Sequence, residues 1–267
     1  MQDTTLKFTY IGGPTALLEI GGLRLLTDPT FDPAGEEYRT SIYTLRKLAG
    51  PALSFESLGR IDAVLLSHDQ HFDNLDRAGR ALLTKAGTVL TTRSGAERLG
   101  GNAIGLAPWQ SVELPAPNGG GLRIMGTPAR HGPADGDRGP VTGFALTLPE
   151  FPQCAVYISG DTVWYEGVAE VSRRFDAKIA ILFMGAATVP EVGPAHLTFT
   201  AAEAVEAAHA FADAVIIPLH YEGWAHYSEP GQQIEDTFES AGIGHRLRLM
   251  EPGRATDITS IYKSAAA

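Results

Sequence analysis

Four apolar runs of strand length in this chain end on a histidine or an aspartate. "IDAVLLS" runs out at His68, "GLRIMGTPARHG" at His131, "CAVYISGD" at Asp161 and "DAVIIPLHYEG" at His220. Buried strands usually give way to Gly, Pro, Asn, Asp or Ser, which suit turns. Asp161 behind Gly160 fits that rule without further meaning. Three histidine exits fit it poorly. The first exit is also the densest: "SHDQHFDNLD" sets His68, Asp69, His71, Asp73 and Asn74 within a few residues. Such a chain favours a fold in which several strand ends meet at one place.

The remaining pattern supplies that fold. "LKFTYIGG" and "TALLEIGGLRLLTDP" read as strands, the second pair joined by a Gly21-Gly22 hairpin turn. "DNLDRAGRALLTKAG" reads as a helix with Asp73 or Asp76 near its start and Gly87 at its end. "TFTAAEAVEAAHAFAD" opens on Thr200 with Glu203 three residues later, a capping-box pattern. "PGQQIEDTFESAGIG" reads as a helix stopped near Gly242, and "HRLRLMEP" as a closing strand. Strands come first and then alternate with helices. This predicts an α/β fold, an αββα sandwich of two mixed sheets with helices on the outer faces. The chain, 1–267, is read as one domain, because no linker-like stretch or internal repeat divides it. Residues 31–60 form a long irregular insert with one helix expected around Ser41 to Leu48, a lid or wall beside the site.

Composition excludes some functions. The formal net charge of -10 argues against nucleic acid or anionic lipid as a partner. No apolar run has the length of a membrane span, and "MQDTTLKFTYIGG" lacks the pattern of a signal peptide. The single cysteine, Cys154, lies in an apolar run and reads as a packing residue; one thiol permits no internal disulfide. The expected location is cytoplasmic, the expected partner a small-molecule substrate, and assembly into a homo-oligomer stays open.

Imidazoles and carboxylates gathered from strand ends are what a zinc, manganese or iron site needs. His68, His71, Asp73, His131, Asp161 and His220 would suffice for one or two divalent transition metals. No paired-cysteine motif points to a structural zinc ribbon.

With those residues in view, the chain resembles the metallo-β-lactamase fold superfamily. It is most similar to the L-ascorbate-6-phosphate lactonase-like branch of metal-dependent hydrolases. That pattern is H-x-H-x-D-H after a strand, then a lone His, a lone Asp and a last His. "SHDQHFDN", "ARHGP", "SGDT" and "PLHYEG" follow it in order, and "LLTDPTF" adds to the likeness. Two departures stand out. Asp69 and Gln70, not one residue, separate His68 from His71, and Asn74 stands where the pattern has its third histidine. Two alignments follow. Either Gln70 is an insertion and His68 is a ligand, or Asp69 takes the ligand place. The first is preferred, since Ser67-His68 follows the strand as the pattern's first histidine does. A carboxamide at Asn74 predicts a weaker second site.

The resemblance implies a hydrolase in which a metal-bound hydroxide attacks a small lactone, ester or phosphodiester. Asp73 would orient the water and take its proton. His196 lies near the active site in that branch, so it is a candidate for substrate contact or proton donation, against a plain loop role. Arg130 could hold an anionic group, and Trp164, Tyr221 and Trp224 could wall the pocket. For each of these, ordinary packing or a surface ion pair is the rival reading. His226 is either a rim residue or a surface one; His209 and His245 read as structural. Two other functional classes stay open: a nuclease of the same fold, and a non-hydrolytic protein with a degenerate site.

Overall fold

The structure, a computed structural model, describes residues 5–117, 120–135, 138–149 and 151–263. The chain opens with β1 (Leu6–Gly12), β2 (Thr15–Ile20), β3 (Leu23–Thr27), β4 (Glu37–Arg39), β5 (Thr44–Arg46), α1 (Phe55–Leu58), β6 (Ala63–Leu65) and α2 (Arg77–Leu82). It continues through β7 (Thr88–Thr92), α3 (Arg93–Leu99), β8 (Ala103–Leu106), β9 (Ser111–Pro115), β10 (Gly121–Pro128), β11 (Thr142–Leu148) and β12 (Phe151–Ile158). It closes with α4 (Glu166–Arg174), β13 (Ile179–Phe183), α5 (Ala201–Ala210), β14 (Val215–Leu219), α6 (Gly231–Ser240), β15 (Ala255–Asp257) and α7 (Thr259–Lys263).

One sheet has seven strands in the order β15-β1-β2-β3-β6-β7-β8; the other has six, β14-β13-β12-β11-β10-β9. Both are mixed: β3, β6, β7 and β8 run parallel, as do β12, β13 and β14, while the remaining pairs are antiparallel. The two sheets pack face to face. Alternation along the strands explains the continuous apolar runs. Ile179, Ile181 and Phe183 of β13 point between the sheets, whereas Ala180 and Leu182 lie under the outer helices. Leu25 and Leu65 likewise face inward, and Leu26 and Val64 face the layer holding Leu58, Leu75 and Leu83. Strands covered on both sides carry apolar residues on both sides. The αββα sandwich is therefore the observed architecture.

Strand direction also explains why the candidate ligand residues meet. β10 and β12 are both antiparallel to β11, so they point the same way, and β13 and β14 run parallel to β12. The carboxyl ends of β10, β12 and β14 thus share one edge of the sandwich. The loop after β6 reaches that edge from the other sheet.

Several local expectations hold. Gly21 and Gly22 turn with φ of 60° and 83°, the left-handed pair a two-residue hairpin requires. Thr200 and Glu203 cap α5 reciprocally, each side chain accepting from the other's backbone N–H at 3.1 Å. Asp76, the second of the two proposed starts, caps α2 by accepting from Gly79 N–H at 2.7 Å.

Two expectations are corrected. Residues 41–48 form no helix; β4 and β5 make a small hairpin there. Thr40 sets its turn, with Oγ1 accepting from Ile42 and Tyr43 N–H. "HRLRLMEP" is no strand either: Gly244–Arg246 is a single 3-10 turn and only Leu247 bridges to Ile216. The closing strand is β15, paired with β1. The side chain of Cys154, expected in the core, lies outside the described residues. Among the described residues no helix is long and apolar enough to cross a membrane.

The 31–60 segment is anchored on buried charge. Lys47 Nζ lies 2.8 Å from Asp76 Oδ2, and both side chains are almost fully buried. The same oxygen accepts from Asp32 N–H at 2.7 Å, and Tyr38 donates to Asp32 Oδ2 at 2.6 Å. The insert is thereby fixed to the start of α2, directly after the ligand loop.

Candidate metal centre

The loop leaving β6 carries His68 and, one turn later, His71. Leu75 N–H donates to His71 O at 3.0 Å, which curls 71–75 and brings Asp73 and Asn74 inward. His131 arrives after β10, Asp161 after β12 and His220 after β14. Two groups result, His68–His71–His131 and Asp73–Asp161–His220, with ligand-type atoms of each group within 4.8 Å of one another.

The first group's protons can be assigned. His131 Nδ1 faces Leu197 O at 2.9 Å, so Nδ1 carries the proton and Nε2 a lone pair. Ser67 Oγ donates to Asp28 Oδ2 at 2.6 Å, and His68 Nδ1 lies 2.9 Å from the same hydroxyl. With Asp28 ionised, that hydroxyl has only an acceptor to offer, so His68 Nδ1 is the donor and His68 Nε2 bears a lone pair. Burial pushes Asp28 up to about 7, against the donors from Ser67 and Asn74, so the assignment is firmest above that pH. His71 Nδ1 then sits 2.8 Å from His68 Nε2 and 3.0 Å from His131 Nε2. One proton at most serves three nitrogens. Burial pushes all three imidazoles below their usual range, so protonation is a poor remedy. A cation among the three lone pairs satisfies them at once.

The second group sets two carboxylates against one imidazole. His220 Nδ1 faces Met184 O at 3.4 Å, and its Nε2 lies 3.3 Å from Asp73 Oδ2 and 3.4 Å from Asp161 Oδ1. His220 Nε2, Asp161 Oδ2 and Asn74 Oδ1 are buried without hydrogen-bond partners. Buried polar groups are nearly always paired, and two buried carboxylates beside one imidazole call for a positive centre, a proton on His220 or a bound cation. Asp161 faces both groups, since its Oδ2 lies 3.6 Å from His131 Nε2. His220 itself adopts φ of 61°, uncommon for a non-glycine residue and characteristic of functional sites. Gly160, at φ 61°, must be glycine: a Cβ there would lie 2.6 Å from Thr142 O and displace Asp161.

The departures from the motif are explained locally. Asp69 turns away from the cluster, with Arg98 Nε donating to its Oδ2 at 2.9 Å and Arg98 Nη2 bound to its Oδ1. Its carboxylate is occupied on both oxygens, which selects the alignment with His68 in the group. His68→Ala should therefore lose metal and activity together, while Asp69→Ala keeps bound metal; metal content of the two purified variants checks this, and the reverse outcome would restore the other alignment. Asn74 Nδ2 donates to Asp28 Oδ2 and Asp161 Oδ1, both at 2.9 Å. It braces the carboxylates where an imidazole would ligate.

Charge distinguishes the two groups further. Burial opposes charge on His220, but Asp161 and Asp73 outweigh it and push its pKa up to about 9. Burial would also raise Asp73, yet His226 and His220 hold it well below the usual carboxylate range. At pH 7 the metal-free second group thus carries a proton on His220 that a metal must displace, whereas the three-histidine group carries none. Calorimetric titration in buffers of different ionisation enthalpy should show about one proton released on filling the second group. Affinity there should rise with pH up to about 9. Asn74→His should tighten that event by adding a nitrogen ligand; two equally tight sites in the native protein, unchanged by the substitution, would contradict this.

A cleft open to solvent stands over the cluster. His71, Asp73 and His131 form its floor, Tyr43 and Leu45 come from the insert, and Ala187, Val189, Val192 and Leu197 add apolar wall. Arg138 and His226 complete the lining, the latter 3.0 Å from Asp73 Oδ2 through Nε2.

The other residues proposed from the sequence lie outside that lining. Arg130 stacks on Tyr165 at 4.5 Å and donates to Gly132 O. Trp164 packs against the core under α4, α5 and α6. Tyr221 is buried in that same core and stacks on Tyr10. Trp224 is buried against Tyr38 at 5.3 Å. None of the four lines this cleft: Tyr221 and Trp224 are buried in packing, and Arg130 and Trp164 are half-buried beside it. His196 pairs with Glu203 Oε2 at 3.1 Å, at the cap of α5 rather than at the cleft. His226, read from the sequence as a rim residue or a surface one, lines the cleft. Asp28, Ser67, Tyr43 and Arg138 were not legible as site features; only the polar Asp28 ending an apolar run hinted at one of them.

Comparison with known proteins agrees with the geometry. The profile of the family described as "Beta-lactamase superfamily domain" matches residues 23–221. The chain belongs to this family. A relative in Ignicoccus hospitalis, named a UPF0173 metal-dependent hydrolase, is 26% identical over 94% of this chain and 97% of its own length. A possible metal-dependent hydrolase of Veillonella parvula superposes with a TM-score of 0.83 at 19% identity, covering 95% of this chain and 100% of that one. An isothiocyanate hydrolase from Delia radicum gut bacteria superposes at 0.79 with 22% identity, covering 94% and 98%.

Proposed function

We propose that this chain, a metal-dependent hydrolase of the metallo-β-lactamase superfamily, cleaves a small lactone or ester in the cleft between the insert and the strand ends. The observation that carries this reading is the pair of buried His/Asp groups, each gathering its ligand-type atoms within 4.8 Å, beneath a largely apolar cleft. His68, His71 and His131 would hold one divalent transition metal, and Asp73, Asp161 and His220 a second, with Asp161 facing both. Bound zinc, manganese or iron would supply Lewis acidity there, acidifying water and polarising the substrate's carbonyl.

The chain's own residues do the rest. Leu197 O and Ser67 hold the His131 and His68 rings in the tautomers that present Nε2. Asn74 keeps Asp161 and Asp28 in place. Asp73 orients the attacking water and takes its proton, and His226 steadies that carboxylate from the cleft wall. Val189, Val192 and Leu45 exclude bulk water and favour an apolar substrate body. The lactonase-like resemblance of the motifs favours a carboxylic ester bond over a phosphodiester. The low cysteine content suits a cytoplasmic setting.

Elemental analysis of purified protein, followed by a screen of lactones, carboxylic esters, phosphodiesters and isothiocyanates, tests the proposal. One to two transition metals per chain and turnover of a lactone or ester are expected. Absence of metal after supplemented growth, with no binding on titration, would overturn it; turnover confined to phosphodiesters or isothiocyanates would overturn the substrate class.

A further inference from the structure

Arg138 has no role in the chemistry above, and its surroundings are unusual for an arginine. It lies on the cleft wall with Tyr43 and His71. Its backbone N–H donates to His131 O at 3.0 Å, which ties it to a ligand residue's own loop. One guanidinium nitrogen, Nη2, is bound to Val192 O. The Nε is shut off from solvent and has no hydrogen-bond partner. No carboxylate of the described residues pairs with it, although the chain has ten more acidic than basic side chains. A guanidinium keeps its charge at any ordinary pH, so Arg138 sets a positive charge without a counter-ion among the described residues on the wall of the cleft, where an anionic group of the substrate can meet it.

We propose that Arg138 receives a carboxylate on the substrate, away from the bond that is cleaved, so that the substrate is a small apolar lactone or ester bearing one carboxylate. This rests on the hydrolase reading. The choice of a carboxylate over a phosphate follows from the donors at hand. A planar guanidinium pairs with two carboxylate oxygens. The rest of the wall is apolar apart from Tyr43 and His226, too few donors for a phosphate dianion. Tyr43 sits close to Arg138 and Asp73; burial first and Asp73 second push its phenol up, which keeps the O–H as a donor.

The test uses the manganese-loaded protein and its Arg138→Met and Arg138→Lys variants, each checked for native melting temperature and metal content. 4-Nitrophenyl hydrogen glutarate carries the distal carboxylate, and 4-nitrophenyl butyrate lacks it. Arg138→Met should raise KM for the charged ester at least tenfold more than for the neutral one, with kcat less affected, and Arg138→Lys should recover part of the loss. In parallel, calorimetry compares glutarate with butyrate as ligands: the native protein should bind glutarate at least tenfold tighter, and Arg138→Met should remove that advantage. Equal losses for both esters, or a glutarate advantage that survives in Arg138→Met, would overturn the assignment. If neither ester is hydrolysed, the glutarate titration still decides: an Arg138-dependent advantage upholds the carboxylate site while counting against the hydrolase reading, and none overturns the site.

Discussion

Replacing His71 by alanine is expected to empty the three-histidine group and abolish hydrolysis. His71 Nδ1 is the atom common to both close nitrogen contacts, so its removal leaves His68 and His131 without the third donor that closes the group. Loss of an outer partner of a ligand commonly costs about 10–100-fold in metal affinity. Loss of the ligand itself should exceed that, by more than about 100-fold on the same scale. The fold should survive, because His71 is less buried than its two neighbours and lies on the cleft floor rather than in the core. Zinc titration of metal-free protein by calorimetry measures the effect directly. A native-like first binding event in His71→Ala would show that the group gathers metal without it.

Lys47→Ala should produce the largest loss of stability of any change outside the apolar core. Lys47 and Asp76 are almost wholly buried, and Asp76 also caps α2 and receives Asp32 N–H. Removing one partner of a buried ion pair strands the other charge and typically costs about 3–5 kcal/mol. For a chain of this size that corresponds to roughly a 6–20 °C fall in Tm. The double change Lys47→Met with Asp76→Asn removes both charges, keeps a capping side chain, and should recover much of the loss. Thermal unfolding of native, single and double variants checks this. A Tm within a degree or two of native for Lys47→Ala would mean that Asp76 finds compensation in solvent or in Asp32's surroundings.

The site and the sandwich were legible to different degrees. Strand-end ligands could be read because each stands at the end of an apolar run, a local and periodic signal. Between His68 and Asp69 the sequence favours His68 by its place directly after the strand, but the deciding partner of Asp69, Arg98, lies on α3 and 29 residues away along the chain. The walls of the cleft were illegible for the same reason: Tyr43, Arg138 and Val192 come from three loops that no pattern connects. Aromatic residues after ligand positions suggested a pocket, yet Trp164, Tyr221 and Trp224 went to packing, which is what large apolar side chains do by default. In the insert, Ile42, Leu45 and Leu48 are spaced as on one helical face. Only Leu45 is buried; Ile42 and Leu48 are 62% and 57% exposed, and Thr40 captures the backbone for a turn instead.

The candidate metal ligands come from both sheets, and the first and last of them, His68 and His220, are separated by more than half of the chain. His68 follows β6 of one sheet, while His131, Asp161 and His220 follow strands of the other. Neither group can exist until the two sheets have docked face to face. The cation is consequently a late arrival in folding, unable to template an early segment, and the slow step should be the closure of long-range strand pairs irrespective of metal. Once bound, it fastens one sheet to the other and acts only on the finished state. At a free metal concentration 100 times the dissociation constant it would add about 2.7 kcal/mol per site to unfolding. Metal should thus slow the opening of the sandwich while leaving its rate of formation nearly unchanged.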